Sequence, residues 1–267
     1  MIKKTVIFWV LVLLIVSSFS FAIYLNQAKA YFIFSTPELN QTYVSFRLDD
    51  ALKSQLQAIY LLEENNMTGS IYPITSKPDS NIGWEKDYYL NWTELQNLSS
   101  FMEIGSHTRT HANLIYARNL EEEVVQSKLD LEKEGFNVST FVYPGGSYSS
   151  RVIRIVEDNY ACASTQDVGT NSIPLRDHLL KDFTFRASSD LNTVKRAINP
   201  GKWNIITFHD IGNLSDVPLE GLYKGIAKQN SVSFEFFKQV VDYVKENNMT
   251  IISINEGCEL FKNAEKE

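Results

Sequence analysis

Cysteine is nearly missing from this chain: Cys162 and Cys258 are the only two among 267 residues, too few for a disulfide framework or a thiolate metal site. Positive charge is in deficit as well. Twenty-five Lys and Arg against 32 Asp and Glu leave a formal net charge of −7, and no Lys/Arg cluster is long enough to form a stripe along a nucleic-acid backbone. That balance argues against a nucleic-acid partner. Internal repeats and low-complexity segments are absent too, which sets aside solenoid and fibrous architectures. Histidine is scarce, with four in the chain, so where they fall carries information. The length suits one α/β domain with a sizeable core, and no second domain is needed.

What the chain does have begins with a long apolar run. Lys3 and Lys4 precede Val6 to Leu25, about the 20 residues that a spanning helix needs. The basic flank is expected to stay cytoplasmic and to send the rest outward. Ala28-Lys29-Ala30 has the form of a signal-peptide cleavage site, although the run is longer than the usual h-region of about 7–15 residues. Residues 1–30 therefore read as a membrane anchor or a signal peptide, and either way the remainder is exported to the cell surface or secreted. Sequons at Asn40, Asn66, Asn91, Asn97, Asn137, Asn213 and Asn248 suit a surface glycoprotein. Export permits a bridge between the two cysteines, but Cys162 lies in an apolar strand-like stretch and reads as a buried free thiol.

From Thr42 onward, short runs rich in β-branched and aromatic residues alternate with helical patterns. The strands expected are Thr42–Leu48, Ser70–Ile74, Met102–Ser106, Thr140–Tyr143, Tyr160–Thr165, Phe183–Ala187, Asn204–His209 and Thr250–Ile254. Helices are expected over Lys53–Asn65, Thr93–Ser99, Leu120–Glu134, Ser150–Asn159, Leu191–Ile198 and Ser233–Asn247, with Leu120, Val124, Ser127 and Leu131 at helical spacing. Such alternation predicts an α/β fold, a distorted (β/α) barrel of seven or eight mostly parallel strands behind an N-terminal hydrophobic helix. The catalytic domain is expected over residues 40–262. Ser76–Tyr89 and Gly212–Lys228 read as long loops.

Four of these strands end in chemistry: Asp49-Asp50, His107 to His111, Pro144-Gly145-Gly146, and His209-Asp210. In parallel α/β folds the carboxyl ends of strands converge on one site. Three of the four histidines sit there. A spacing of four puts the imidazoles of His107 and His111 on one side of a helical turn, which suits a divalent metal. Adjacent strand residues point opposite ways, so of Asp49 and Asp50 one can bind metal while the other serves as base.

Leu48-Asp49-Asp50-Ala51, His107-Thr-Arg-Thr-His111, Tyr143-Pro144-Gly145-Gly146 and Thr207-Phe208-His209 resemble, in order and approximate spacing, the motifs of polysaccharide deacetylases, carbohydrate esterase family 4. The resemblance runs from about Thr42 to Leu260. It implies a metal-dependent hydrolase that removes acetyl groups from an N-acetylated glycan. By position it makes Asp50, His107 and His111 the metal ligands, Asp49 the general base and His209 the general acid, with the Gly145 N–H helping to hold the oxyanion. Zn²⁺ is the default for such a donor set, and Co²⁺, Ni²⁺ or Mn²⁺ can serve it. The implied partners are the acetylated glycan and, through the N-terminal segment, the membrane.

The chain departs from the family pattern where the Gly after the Asp pair is Ala51, the Thr two before the first Asp is Arg47, and the Arg two before the motif's Pro is Val142. That Arg normally holds the base. Arg47, on the same strand face as Asp49, and Arg186 are the two candidates to replace it. Asp167 is the choice for a residue orienting His209, with Asp210 the alternative. His178 reads as solvated. Among Tyr72, Trp84, Tyr88, Tyr89, Trp92, Tyr148 and Trp203, Trp84 and Tyr148 are the best candidates to stack on a sugar. Two rival functions remain: an O-acetyl carbohydrate esterase, and a surface glycan-binding protein that has lost catalysis.

Overall fold

The computed structural model describes residues 41–212 and 228–266. The N-terminal segment, including the expected hydrophobic helix, lies outside them, as does most of the Gly212–Lys228 loop. Among the described residues no helix is long and apolar enough to cross a membrane.

Seven strands lie in the order β3-β2-β1-β7-β6-β5-β4: β1 Tyr43–Asp50, β2 Ser70–Pro73, β3 Glu103–Ile104, β4 Thr140–Val142, β5 Cys162–Val168, β6 Leu180–Thr184 and β7 Trp203–Phe208. Every pair along this path is parallel. The two ends of the sheet are joined by a single parallel bridge between Ser106 and Phe141, in which Ser106 N–H donates to Thr140 at 3.0 Å and Val142 N–H donates to Ser106 at 2.9 Å. The result is the distorted (β/α) barrel expected from the alternation.

Strand β1 shows why these residues build a barrel. Val44, Phe46 and Leu48 face outward into the main hydrophobic core with Phe237, Val240 and Val241 of the helix Phe234–Glu246. Phe46 meets Phe237 at 5.7 Å between ring centroids. Ser45, Arg47 and Asp49 alternate with them and point inward, all buried, where they find polar partners. Around the outside, Leu120–Lys133 forms as expected and buries Leu120, Val124, Ser127 and Leu131, with Glu121, Glu122 and Glu123 in its first turn, the end where negative charge is favoured.

Four expectations need correction. The strand expected at Phe183–Ala187 begins three residues earlier, because pairing with β5 and β7 sets its hydrogen-bonded length. The loop Ser76–Tyr89 contains a short helix, Gly83–Tyr88. Thr250–Ile254 is a strand only over Thr250–Ile251, and Ile254 opens a helix running to Lys266. That helix carries Cys258 to Cys162, and the two are joined in a disulfide across 96 residues. Cys162 is therefore not the free thiol expected from its apolar surroundings.

Candidate metal and acid–base site

Register at the strand ends sets the metal-ligand candidates side by side. Asp50 pairs with Pro73 across β1 and β2, and the Pro73 carbonyl accepts the backbone N–H of His107 at 3.2 Å, which places His107 beside Asp50. His107 is fully buried. Its Nδ1 lies 3.0 Å from the Val142 carbonyl, a contact that requires a proton on Nδ1 and leaves the Nε2 lone pair for a ligand. Nε2 of His107 and Nε2 of His111 each lie 3.6 Å from Asp50 Oδ1. One ligand atom from each of the three residues falls within 4.8 Å of the others.

Among the described residues His107 Nε2 and Asp50 Oδ1 are buried with no hydrogen-bond partner, a costly state unless something else meets them. One carboxylate and two imidazoles form a donor set for Zn²⁺ and similar divalent ions, so these residues fit a metal. Burial pushes the His107 imidazole down to about 4 despite the neighbouring Asp49 carboxylate. It is thus neutral, the form that ligates, across ordinary pH.

The expected helical turn between His107 and His111 is absent. Thr108 and His111 both take left-handed backbone, φ 65° and 62°, and His111 N–H donates to Thr108 Oγ1 at 3.0 Å. Glu123 holds the loop by accepting from Thr110 N–H at 2.9 Å and Thr110 Oγ1 at 2.6 Å. The imidazoles still meet, 4.8 Å apart between centroids.

Asp49, next in sequence to the candidate ligand Asp50, has no exposed surface. Its Oδ2 accepts from the Arg47 guanidinium at 3.0 Å, and Arg47 also donates to Ser164 Oγ at 2.7 Å and the Thr165 carbonyl at 2.9 Å. On its far side Arg47 lies 3.3 Å from Asp182 Oδ2. Burial alone would raise the Asp49 carboxyl, but its cationic surroundings, the Arg47 guanidinium first among them, outweigh it and hold the group below its ordinary value. Asp182, with Thr207 donating to it at 2.6 Å, is shifted the other way by its own burial. Arg186, by contrast, turns its guanidinium to Asn230. Arg47 is the arginine that meets Asp49.

His209 follows β7, and because Leu48 pairs with Phe208 the residues Asp49 and His209 come level. His209 Nε2 is 3.7 Å from Asp49 Oδ2. Its Nδ1 has no hydrogen-bond partner among the described residues, which corrects the expectation for Asp167. That carboxylate instead accepts from Tyr148 Oη at 2.8 Å. Asp210 is buried and makes no hydrogen bond to the ring, as strand alternation implies. At the neighbouring strand end Pro144–Gly146 makes one tight turn, with Gly145 at φ 59° and exposed to solvent.

His178 is not solvated. Its side chain is 12% exposed, and its Nε2 lies 2.9 Å from the Tyr160 carbonyl. Tyr72 and Trp203 are wholly buried core residues, whereas Trp84 is 41% exposed and heads a cluster with Tyr88 and Tyr89 at 6.2 and 6.5 Å. Two site residues escape a reading of the sequence. Asp182 precedes the strand expected at Phe183, and Gln55 looks like any polar residue in the first turn of a helix. Gln55 is fully buried and reaches both the Asp49 and His209 backbones.

Comparison with known proteins then bears on family. Residues 37–160 match the family model for polysaccharide deacetylases. Over those residues the match agrees with the resemblance drawn from the motifs. The polysaccharide deacetylase match takes in the Asp pair, His107 and His111 and the glycine turn, while His209 lies beyond it. No curated protein matches the chain significantly by sequence. Among solved structures, the Xyl-CE4 domain of a multidomain xylanase from the hindgut metagenome of Trinervitermes trinervoides is 15% identical with a TM-score of 0.54, covering 84% of this chain and 91% of that one. Peptidoglycan deacetylase PdaC from Bacillus subtilis, solved as a mutant, is 13% identical with a TM-score of 0.53, covering 85% and 95%. Streptococcus pyogenes deacetylase PplD, in complex with acetate, is 19% identical with a TM-score of 0.53, covering 58% and 70%. At these identities the likeness establishes the fold. Two further Bacillus chains, from B. anthracis and B. cereus, are matched over only 50% of their own length.

Proposed function

We propose that this protein is a metal-dependent hydrolase that removes acetyl groups from an N-acetylated glycan outside the cytoplasm. The observation that carries the reading is one cluster: Asp50 and His107 atoms without a hydrogen-bond partner among the described residues, beside His111, with Asp49 and His209 facing each other 3.7 Å apart at its edge. Asp50, His107 and His111 would hold the ion. When bound, a divalent metal withdraws electron density from the acetyl carbonyl and makes water a better nucleophile at neutral pH.

The chain's own groups do the rest. Asp49, kept ionised by Arg47, takes a proton from the attacking water as its oxygen bonds to the carbonyl carbon. The Gly145 N–H donates to the oxygen that gains charge. His209 then gives a proton to the nitrogen as the carbon–nitrogen bond breaks, and acetate and a free amine result. The reading as a lapsed sugar-binding protein is motivated by the arginine missing at Val142, and Arg47 at 3.0 Å from Asp49 supports the catalytic reading over it. Export is supported by the apolar run from Val6 and by the disulfide Cys162–Cys258, a bond of oxidising compartments. Residues 1–30 would anchor the protein to the membrane or leave as a signal peptide.

The test is product analysis with Zn²⁺-loaded protein on N-acetylglucosamine oligomers and on acetylated xylan. Matched release of acetate and free amine from the oligomers is expected. Acetate from xylan alone would make the protein an O-acetyl esterase, and binding with no turnover on either would return the lapsed-enzyme reading.

A further inference from the structure

The β1–β7 ladder runs in register from Tyr43 opposite Trp203 to Leu48 opposite Phe208 and stops there. Asp49 and His209 are the next residues on each strand, so the proposed base and acid stand where backbone pairing has just ended. One side chain bridges that gap. The Gln55 amide NH₂ donates to the Asp49 carbonyl at 2.8 Å and to the His209 carbonyl at 2.7 Å. Its Oε1 accepts the Leu52 N–H at 3.0 Å. Reversing the amide would set an oxygen against two carbonyl oxygens and an NH₂ against an N–H, so its orientation is fixed by its partners.

Two further facts show how much rests on this amide. Asp50 and Ala51, between the base and Leu52, are both left-handed, φ 71° and 54°, a conformation that non-glycine residues seldom adopt. Such a turn persists only when its surroundings hold it, and the bond from Leu52 to Gln55 closes it. Gln55 itself has no exposed surface, and both of its amide protons are in use. Its hydrogen bonds go to the backbones of Asp49, His209 and Leu52 rather than to either proposed reacting side chain.

We infer that Gln55 is a positioning residue that sets the separation between Asp49 and His209 by acting as an extra rung between their strands. The inference rests on the acid–base roles proposed above. The experiment compares metal-loaded wild type with Gln55→Met on N-acetylglucosamine oligomers, alone and in the His209→Ala background, and determines the variant's crystal structure. A misplacement of about 1 Å can cost about 10²-fold, so kcat is expected to fall about 10²-fold, with KM and metal content unchanged. With His209 already removed, Gln55→Met should cost under about threefold, because groups acting as a unit are not additive. The crystal structure should show Asp49 Oδ2 and His209 Nε2 farther apart than 3.7 Å.

An unchanged separation with an unchanged kcat overturns the inference. So does an equal fold-loss in both backgrounds, which is what a general structural defect would give. If wild type releases no acetate from any substrate, the deacetylase reading fails while the crystallographic separation still decides the role of Gln55. Should Gln55→Met not fold, Gln55→Glu keeps the shape and sets oxygen against oxygen, with the same expected outcomes.

Discussion

A guanidinium buried between two carboxylates, as Arg47 is between Asp49 and Asp182, is tied to both stability and chemistry. Its removal leaves two buried acids uncompensated, a loss of about 3–5 kcal/mol for a broken buried pair. It also removes a charge that holds the Asp49 carboxyl low. The sign follows directly: without the cation the carboxylate is less favoured, its pKa rises, and a higher pH is needed to free the base. Arg47→Met should therefore move the acidic limb of the pH–rate profile up by about one unit or more at unchanged metal content, whereas Arg186→Met should leave it in place. A limb that does not move in Arg47→Met would show that Arg47 supports only the fold. The two-residue period of a strand makes Arg47 and Asp49 legible as neighbours from the sequence. Asp182 and Gln55 are not legible, because a single Asp beside a strand and a single Gln in a first helical turn have no pattern to separate them from solvated residues.

At the scale of elements, hydrophobic alternation locates the barrel strands well and fails at the C-terminus. Ile251 and Ile252 continue the apolar run of the last strand, yet Ser253 and Glu256 form a reciprocal cap, with Ser253 N–H donating to Glu256 at 2.7 Å and Glu256 N–H to Ser253 Oγ at 3.2 Å. Ser-Ile-Asn-Glu is the S-x-x-E signature of a helix start, and it is the signal that marks the helix Ile254–Lys266. Without that helix the disulfide stays hidden. The Cys162–Cys258 link closes a loop across 96 residues, and removing a native disulfide of this kind costs about 2–5 kcal/mol. Oxidised wild type should accordingly unfold at a clearly higher temperature than the Cys162→Ala/Cys258→Ala variant by calorimetry. Equal Tm values would mean that the C-terminal helix docks equally well without the bond.

For the whole molecule, the informative features are the strand ends. Asp49-Asp50, His107 to His111, the Pro144 turn and His209 are dispersed over the chain, and the parallel barrel gathers them because each strand delivers its carboxyl end to the same face. The site's composition is readable for that reason. The loop that turns His111 back toward Asp50, through left-handed Thr108 and His111, is not, since a spacing of four suggests a helix first. The claim on which the rest depends is that Asp50, His107 and His111 form a metal centre that hydrolysis requires. The most direct measurement is metal content by elemental analysis, paired with acetate release, for wild type and for His107→Ala/His111→Ala after removal of metal and reloading with Zn²⁺. About one equivalent per chain with activity restored in wild type, and neither in the variant, is the expected result. Stoichiometric metal retained by the variant, or undiminished acetate release from metal-free wild type, would contradict it.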